Sequence, residues 1–90
     1  MTQYDLYRDL MRAIYALALD ATESRDQAKA GAVDAIARAA FKPLREELGG
    51  HTPIYEILEY LEPGASSDDD WSYSLDNLRQ LKDVYPEVLA

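Results

Sequence analysis

The chain predicts an all-α fold: a small bundle of four to five short helices in a single domain. Three observations lead there. Apolar residues recur at three-and-four spacing in four separate segments. Proline, glycine and capping residues punctuate the intervals between those segments. The length of 90 residues, with 48% hydrophobic and 29% charged residues, suits one folded core and leaves no room for a second domain. No internal repeat is visible.

The first helix is expected over 4–21, with Tyr7, Leu10, Met11, Ile14, Leu17, Ala18 and Ala21 on its buried face. Asp5, Arg8, Asp9, Arg12, Ala16 and Asp20 fall opposite, where Asp5 with Arg8 and Asp9 with Arg12 pair three residues apart. Ser24 followed by Gln27 has capping-box spacing, so a second helix should start there, with Glu23 and Asp26 favouring its positive end. Its large apolar row is Val33, Ile36, Ala37, Ala40 and Phe41. Beside it runs a row of small residues, Ala28, Gly31 or Ala32, Ala35 and Ala39, which would let another helix approach closely. The expectation is a second helix contacted on two sides at the centre of the bundle. The alternative is that the alanine row forms a homodimer seam.

Pro43 should kink or stop the second helix near 40–42 and open a short helix over 43–48, closed by Gly49 and Gly50. Thr52 and Pro53 repeat the cap-then-proline pattern, and Pro63 with Gly64 ends the segment. Ile54, Ile57, Leu58 and Leu61 form its apolar stripe, with Glu56, Glu59 and Tyr60 outward and Tyr55 at the edge. Residues 65–73, ASSDDDWSY, read as a polar loop. Ser74 then caps a last helix that turns Leu75, Leu78, Leu81 and Tyr85 inward, and Pro86 ends it or begins a final turn.

Charge is unevenly distributed. The formal charge of -8 divides into +1 over residues 1–45, -9 over 46–78 and 0 over 79–90. Between Arg45 and Arg79 there is no lysine or arginine. A pI near 4.4 disfavours direct binding to nucleic acid or to an anionic membrane, both of which need cations, and points to basic protein surfaces. No segment reaches the roughly 20 apolar residues of a membrane span. The first residues carry acids where a signal peptide needs cations, and cysteine is absent, so a cytoplasmic location is expected.

The chemical candidates are weak. His51 is the only histidine and no cysteine accompanies it, so zinc is not expected. Were Asp68 to open a calcium loop, Asp70 and Ser72 would fit. Tyr73, however, stands where glycine is required and Arg79 where the bidentate glutamate belongs. No phosphate loop, nucleophile motif or marked carboxylate pair is present, so neither catalysis nor a cofactor is expected. Ser74-Leu75-Asp76 resembles the modification site of acyl carrier proteins. Yet Tyr73 precedes the serine where that family has aspartate, and the position is too near the end of the chain.

The aromatics divide in two. Tyr7, Tyr15 and Tyr85 lie on apolar faces and are expected at the core or its edge, their hydroxyls reaching water. Tyr55, Tyr60, Trp71 and Tyr73 fall among the acids and are expected to be partly exposed. The layout from His51-Thr52-Pro53 through Pro63-Gly64 to Asp68-Asp69-Asp70 is similar to that of the nuclease-colicin immunity proteins, small acidic helical bundles that bind a basic nuclease through acids and tyrosines. Tyr55 and Tyr60 stand five apart where that family has an adjacent pair, so the likeness is one of physical design.

The leading expectation is a non-enzymatic binding protein that occupies a basic, nucleic-acid-binding site on a partner. Its class would be that of anti-CRISPR or other anti-defence proteins, immunity proteins or antitoxins. The expected contact residues are Glu56, Glu59, Tyr60, Glu62, Asp68, Asp69, Asp70, Trp71, Tyr73 and Asp76. The alternative is a structural or assembly protein that dimerises through the alanine-rich face of the second helix.

Overall fold

A computed structural model describes residues 3–48, 54–61 and 68–89, the side chains at 3–4, 44–48, 55 and 68–70 excepted. Among them the only regular structure is helical: α1 (Gln3–Glu23), α2 (Gln27–Leu48), α3 (Ile54–Tyr60), α4 (Asp68–Val84) and α5 (Pro86–Leu89). The expected small all-α bundle is what the chain forms, measuring 40 × 25 × 19 Å. Expectations placed on Gly49, Gly50, Thr52, Pro53, Pro63 and Gly64 lie outside the described residues, as does the start of the 65–73 segment.

α1 is the centre of the bundle. It packs on α2, α4, α5 and α3, whereas α2 has substantial contact with α1 alone. The reason is the width of its apolar face. Tyr7, Met11, Ile14, Ala18 and Ala21 are buried at helical spacing, and Tyr15 is buried on the flank beside them. Tyr7 meets Phe41 of α2 edge to face, ring centroids 5.8 Å apart at 86°. On the other flank the Tyr15 hydroxyl donates to the Leu78 carbonyl of α4 rather than reaching water. Arg12 Nε donates to the Val88 carbonyl at 3.0 Å and holds α5 in place.

The turn between α1 and α2 is built differently from the sequence expectation. Asp26, not Ser24, caps α2: its Oδ1 accepts the Lys29 amide at 3.0 Å. The Ser24 hydroxyl turns back to donate to the Asp20 carbonyl at 2.8 Å, closing α1 instead. Arg25 adopts φ 54°, the left-handed region that glycine usually supplies at a helix end. The Asp26 amide donates to Ala21 O at 3.0 Å and the Arg25 amide to Thr22 O at 3.2 Å, the two bonds of a Schellman motif.

α2 also departs from expectation in two respects. It continues through Pro43 to Leu48, without a separate helix over 43–48. Proline removes the ladder bond to the Ala39 carbonyl, and because Ala39 and Pro43 are both exposed the freed oxygen is open to solvent rather than buried unpaired. Nor is α2 central. Ala28, Ala32, Ala35 and Ala39 are exposed, and Ile36 is 56% exposed. Alanine needs no partner to favour a helix, so the small-residue row is sustained by propensity without a covering element.

α3 buries Ile54, Ile57 and Leu58, and Leu61 follows them into the core. α4 begins at Asp68, so the aspartates expected in a loop form its first turn. Negative residues are favoured there by the helix dipole. Ser74 consequently sits inside the helix and is buried, one turn from Leu78, and it caps nothing. Leu78 and Leu81 are buried as expected, while Leu75 is only half-buried.

Candidate functional site

The functional candidates gather where α3 and α4 lie side by side. The stripe Ile54, Ile57, Leu58 turns α3 inward and leaves Glu59 exposed and Glu56 and Tyr60 half-buried. On α4 the inward stripe of Trp71, Ser74, Leu78 and Leu81 leaves Tyr73 and Asp76 outward. Tyr73 is 66% exposed. Its ring stands edge to face against Tyr60, centroids 6.3 Å apart at 70°. An aromatic pair thus bridges the two helices at the surface, with carboxylates on both: Glu56 one turn before Tyr60 and Glu59 next to it on α3, and Asp76 one turn after Tyr73 on α4.

The electrostatics follow from that crowding. The Tyr60 phenol holds its proton more tightly than an ordinary tyrosine, first through loss of solvent and then through the negative charge of Glu59, the neighbouring Tyr73 and Glu56. Tyr85, in the junction between α4 and α5, is raised chiefly by a hydrogen bond to Glu56. Glu56 thus lies near Tyr85, where α3 meets the end of α4. The ion pairs among the described residues include Arg8 with Asp5, Lys29 with Asp20, Arg38 with Asp34 and Arg79 with Glu23. None includes Glu56, Glu59 or Asp76. Arg8 and Arg38 thus pair with acids of their own helices, Lys29 of α2 pairs with Asp20 of α1, and Arg79 of α4 reaches across to Glu23 of α1.

The ten residues singled out from sequence separate accordingly. Glu59, Tyr60, Tyr73 and Asp76 share the α3–α4 surface, with Glu56 at its inner edge. Trp71 does not belong to it: at 8% exposure it is a core residue, because the helix begins at Asp68 and puts position 71 in register with 74 and 78. The expectation of a partly exposed tryptophan is corrected on that ground. Asp68, Asp69 and Asp70 occupy the first turn of α4. Glu62 and His51 lie outside the described residues. Tyr85 is the contributor that sequence reasoning missed, since only the fold brings it to Glu56.

Among the described residues no three histidine, aspartate or glutamate side chains cluster as a metal site, and no helix is long and apolar enough to cross a membrane. Compared with protein-family models, curated proteins and solved structures, the chain matches none.

Proposed function

We propose that this chain is a non-enzymatic protein-binding module that covers a basic surface on a partner protein, using Glu59, Tyr60, Tyr73 and Asp76 at the α3–α4 face. The observation that carries this reading is Tyr73, two-thirds exposed yet held by its edge-to-face contact with Tyr60, beside carboxylates that enter none of the ion pairs found among the described residues. A tyrosine fixed at the surface offers a large contact area at low entropic cost, and such residues dominate interface energetics. The surrounding carboxylates supply complementarity to arginine and lysine and speed encounter with a positively charged site. Carboxylates at fixed spacing on a rigid body resemble the phosphates of a nucleic acid, so a nucleic-acid-binding channel is the partner chemistry that fits. Inhibitors of the anti-defence, immunity or antitoxin type share that design.

The test is capture of partners on the immobilised chain, compared with a Glu59→Gln, Tyr73→Ala, Asp76→Asn variant, across a salt series. The expected result is a partner with a basic nucleic-acid site, displaced by added nucleic acid, weakened by salt and lost with the variant. A partner held equally by the variant, or one without a basic surface, would remove the proposal.

A further inference from the structure

We infer that the outer face of the α1–α2 hairpin is a homodimer interface, on which two copies of this chain pack face to face about a two-fold axis. This inference stands on a different surface from the α3–α4 face and does not depend on it. Leu6 and Leu17 of α1 are 45% and 41% exposed, and Ile36 of α2 is 56% exposed. Leu6, Ala13, Leu17 and Asp20 recur at intervals of seven, four and three residues, and so lie along one stripe of α1. Lys29 and Ile36 are seven apart and lie along one stripe of α2, with Ala32 and Ala39 beside them. The Lys29–Asp20 ion pair joins the two stripes at the hairpin end, so both look out of the same side of the molecule. Tyr15 and Arg12, which reach α4 and α5, leave the other side of α1.

The second copy is the occupant that area and charge both favour. α1 has 21 residues, so at 1.5 Å per residue the face is about 30 Å long and, across two helices, about 20 Å wide. That offers roughly 600 Å² per copy, the lower end of the range for specific dimers. The exposed alanines keep the face flat enough for helices to approach closely. Residues 1–45 carry a net +1, whereas residues 46–78 carry -9. Two copies meeting through their acidic halves would repel, and the hairpin is the near-neutral surface by which they can meet. The seam includes the α2 alanine row but is centred on Leu17 and Ile36.

Analytical ultracentrifugation of the full chain tests this. The wild type is expected at twice its 10.2 kDa mass, with association tightened by salt because salt screens the repulsion between acidic halves. The acidic docking reading predicts the opposite salt dependence, so the two fail separately. Leu17→Glu and Ile36→Glu should each weaken the dimer by roughly a hundredfold or more, by placing a charge in the seam. Tyr73→Ala should leave it unchanged. If either glutamate variant loses helicity by circular dichroism, mixed labelled and unlabelled wild-type chains decide instead, through nuclear Overhauser contacts between Leu17 and Ile36 methyls of different copies. A wild type that remains monomeric to about 1 mM, including one that instead binds zwitterionic lipid vesicles, overturns the inference. So does a dimer indifferent to both glutamate substitutions.

Discussion

The Tyr15 hydroxyl donates to the backbone carbonyl of Leu78, so a side chain of α1 closes on the main chain of α4 across 63 positions of sequence. The Arg79 carbonyl lies 3.4 Å from the same hydroxyl. One phenol therefore fixes how the two central helices are rotated against each other, and the α3–α4 face inherits its orientation from that contact.

Replacing Tyr15 with phenylalanine should cost about 1 kcal/mol in urea unfolding at neutral pH, the net worth of a buried hydrogen bond. Burial raises the Tyr15 phenol above its ordinary value, more than the Lys82 amide lowers it, and Asp83 adds to the rise. The folded chain thus holds this proton more tightly than the unfolded chain. The associated stability is complete below about pH 10, the unfolded value, and is lost as pH rises through the folded one. Unfolding free energy measured from pH 9 to 12 should fall less steeply in Tyr15→Phe than in wild type.

At the α1–α2 turn, Arg25→Gly should be more stable than Arg25→Ala by about 1 kcal/mol. Both remove the same side chain, and only glycine adopts positive φ freely. Equal stabilities by chemical denaturation would show that the left-handed conformation is not retained in solution.

Asp26→Ala should destabilise by about 1 kcal/mol through loss of the α2 cap, and Ser24→Ala by less. The capping-box spacing of Ser24 and Gln27 predicts the reverse order, so thermal unfolding of the two variants separates the alternatives.

Trp71→Ala should destabilise by about 3 kcal/mol or more, as expected for truncating a buried tryptophan. Wild-type fluorescence should be blue-shifted and poorly quenched by iodide, whereas an exposed Trp71 would emit at long wavelength and quench freely.

Glu56→Ala should move the Tyr85 titration down towards its ordinary value, since the hydrogen bond to Glu56 is the leading cause of the rise. Carbon-13 shifts of the tyrosine rings report each phenol separately. An unmoved Tyr85 would return Glu56 to the surface set.

Which features were legible follows from how local their physics is. The buried rows of α1 and α3 were readable because spacing alone selects one side of a helix. The start of α4 was readable as well, in Ser67 followed by three aspartates, a helix-start composition that the tripled charge disguised as loop. Trp71 went with it: once position 68 opens the helix, positions 71, 74, 78 and 81 form the buried stripe. Leu17 and Ile36 were not readable as exposed, because periodicity shows that a residue is apolar and never whether a neighbour arrives to cover it.

Composition and periodicity by themselves determined that this chain is helical, where most of its helices lie, and that its negative charge is concentrated in one block, because helix propensity, spacing and charge are properties of the local chain. Tertiary structure alone decided that α1 is central and α2 peripheral, that Tyr73 meets Tyr60, and that Glu56 reaches Tyr85. Those relationships depend on how helices rotate and dock against one another, and docking is settled by side chains distant in sequence.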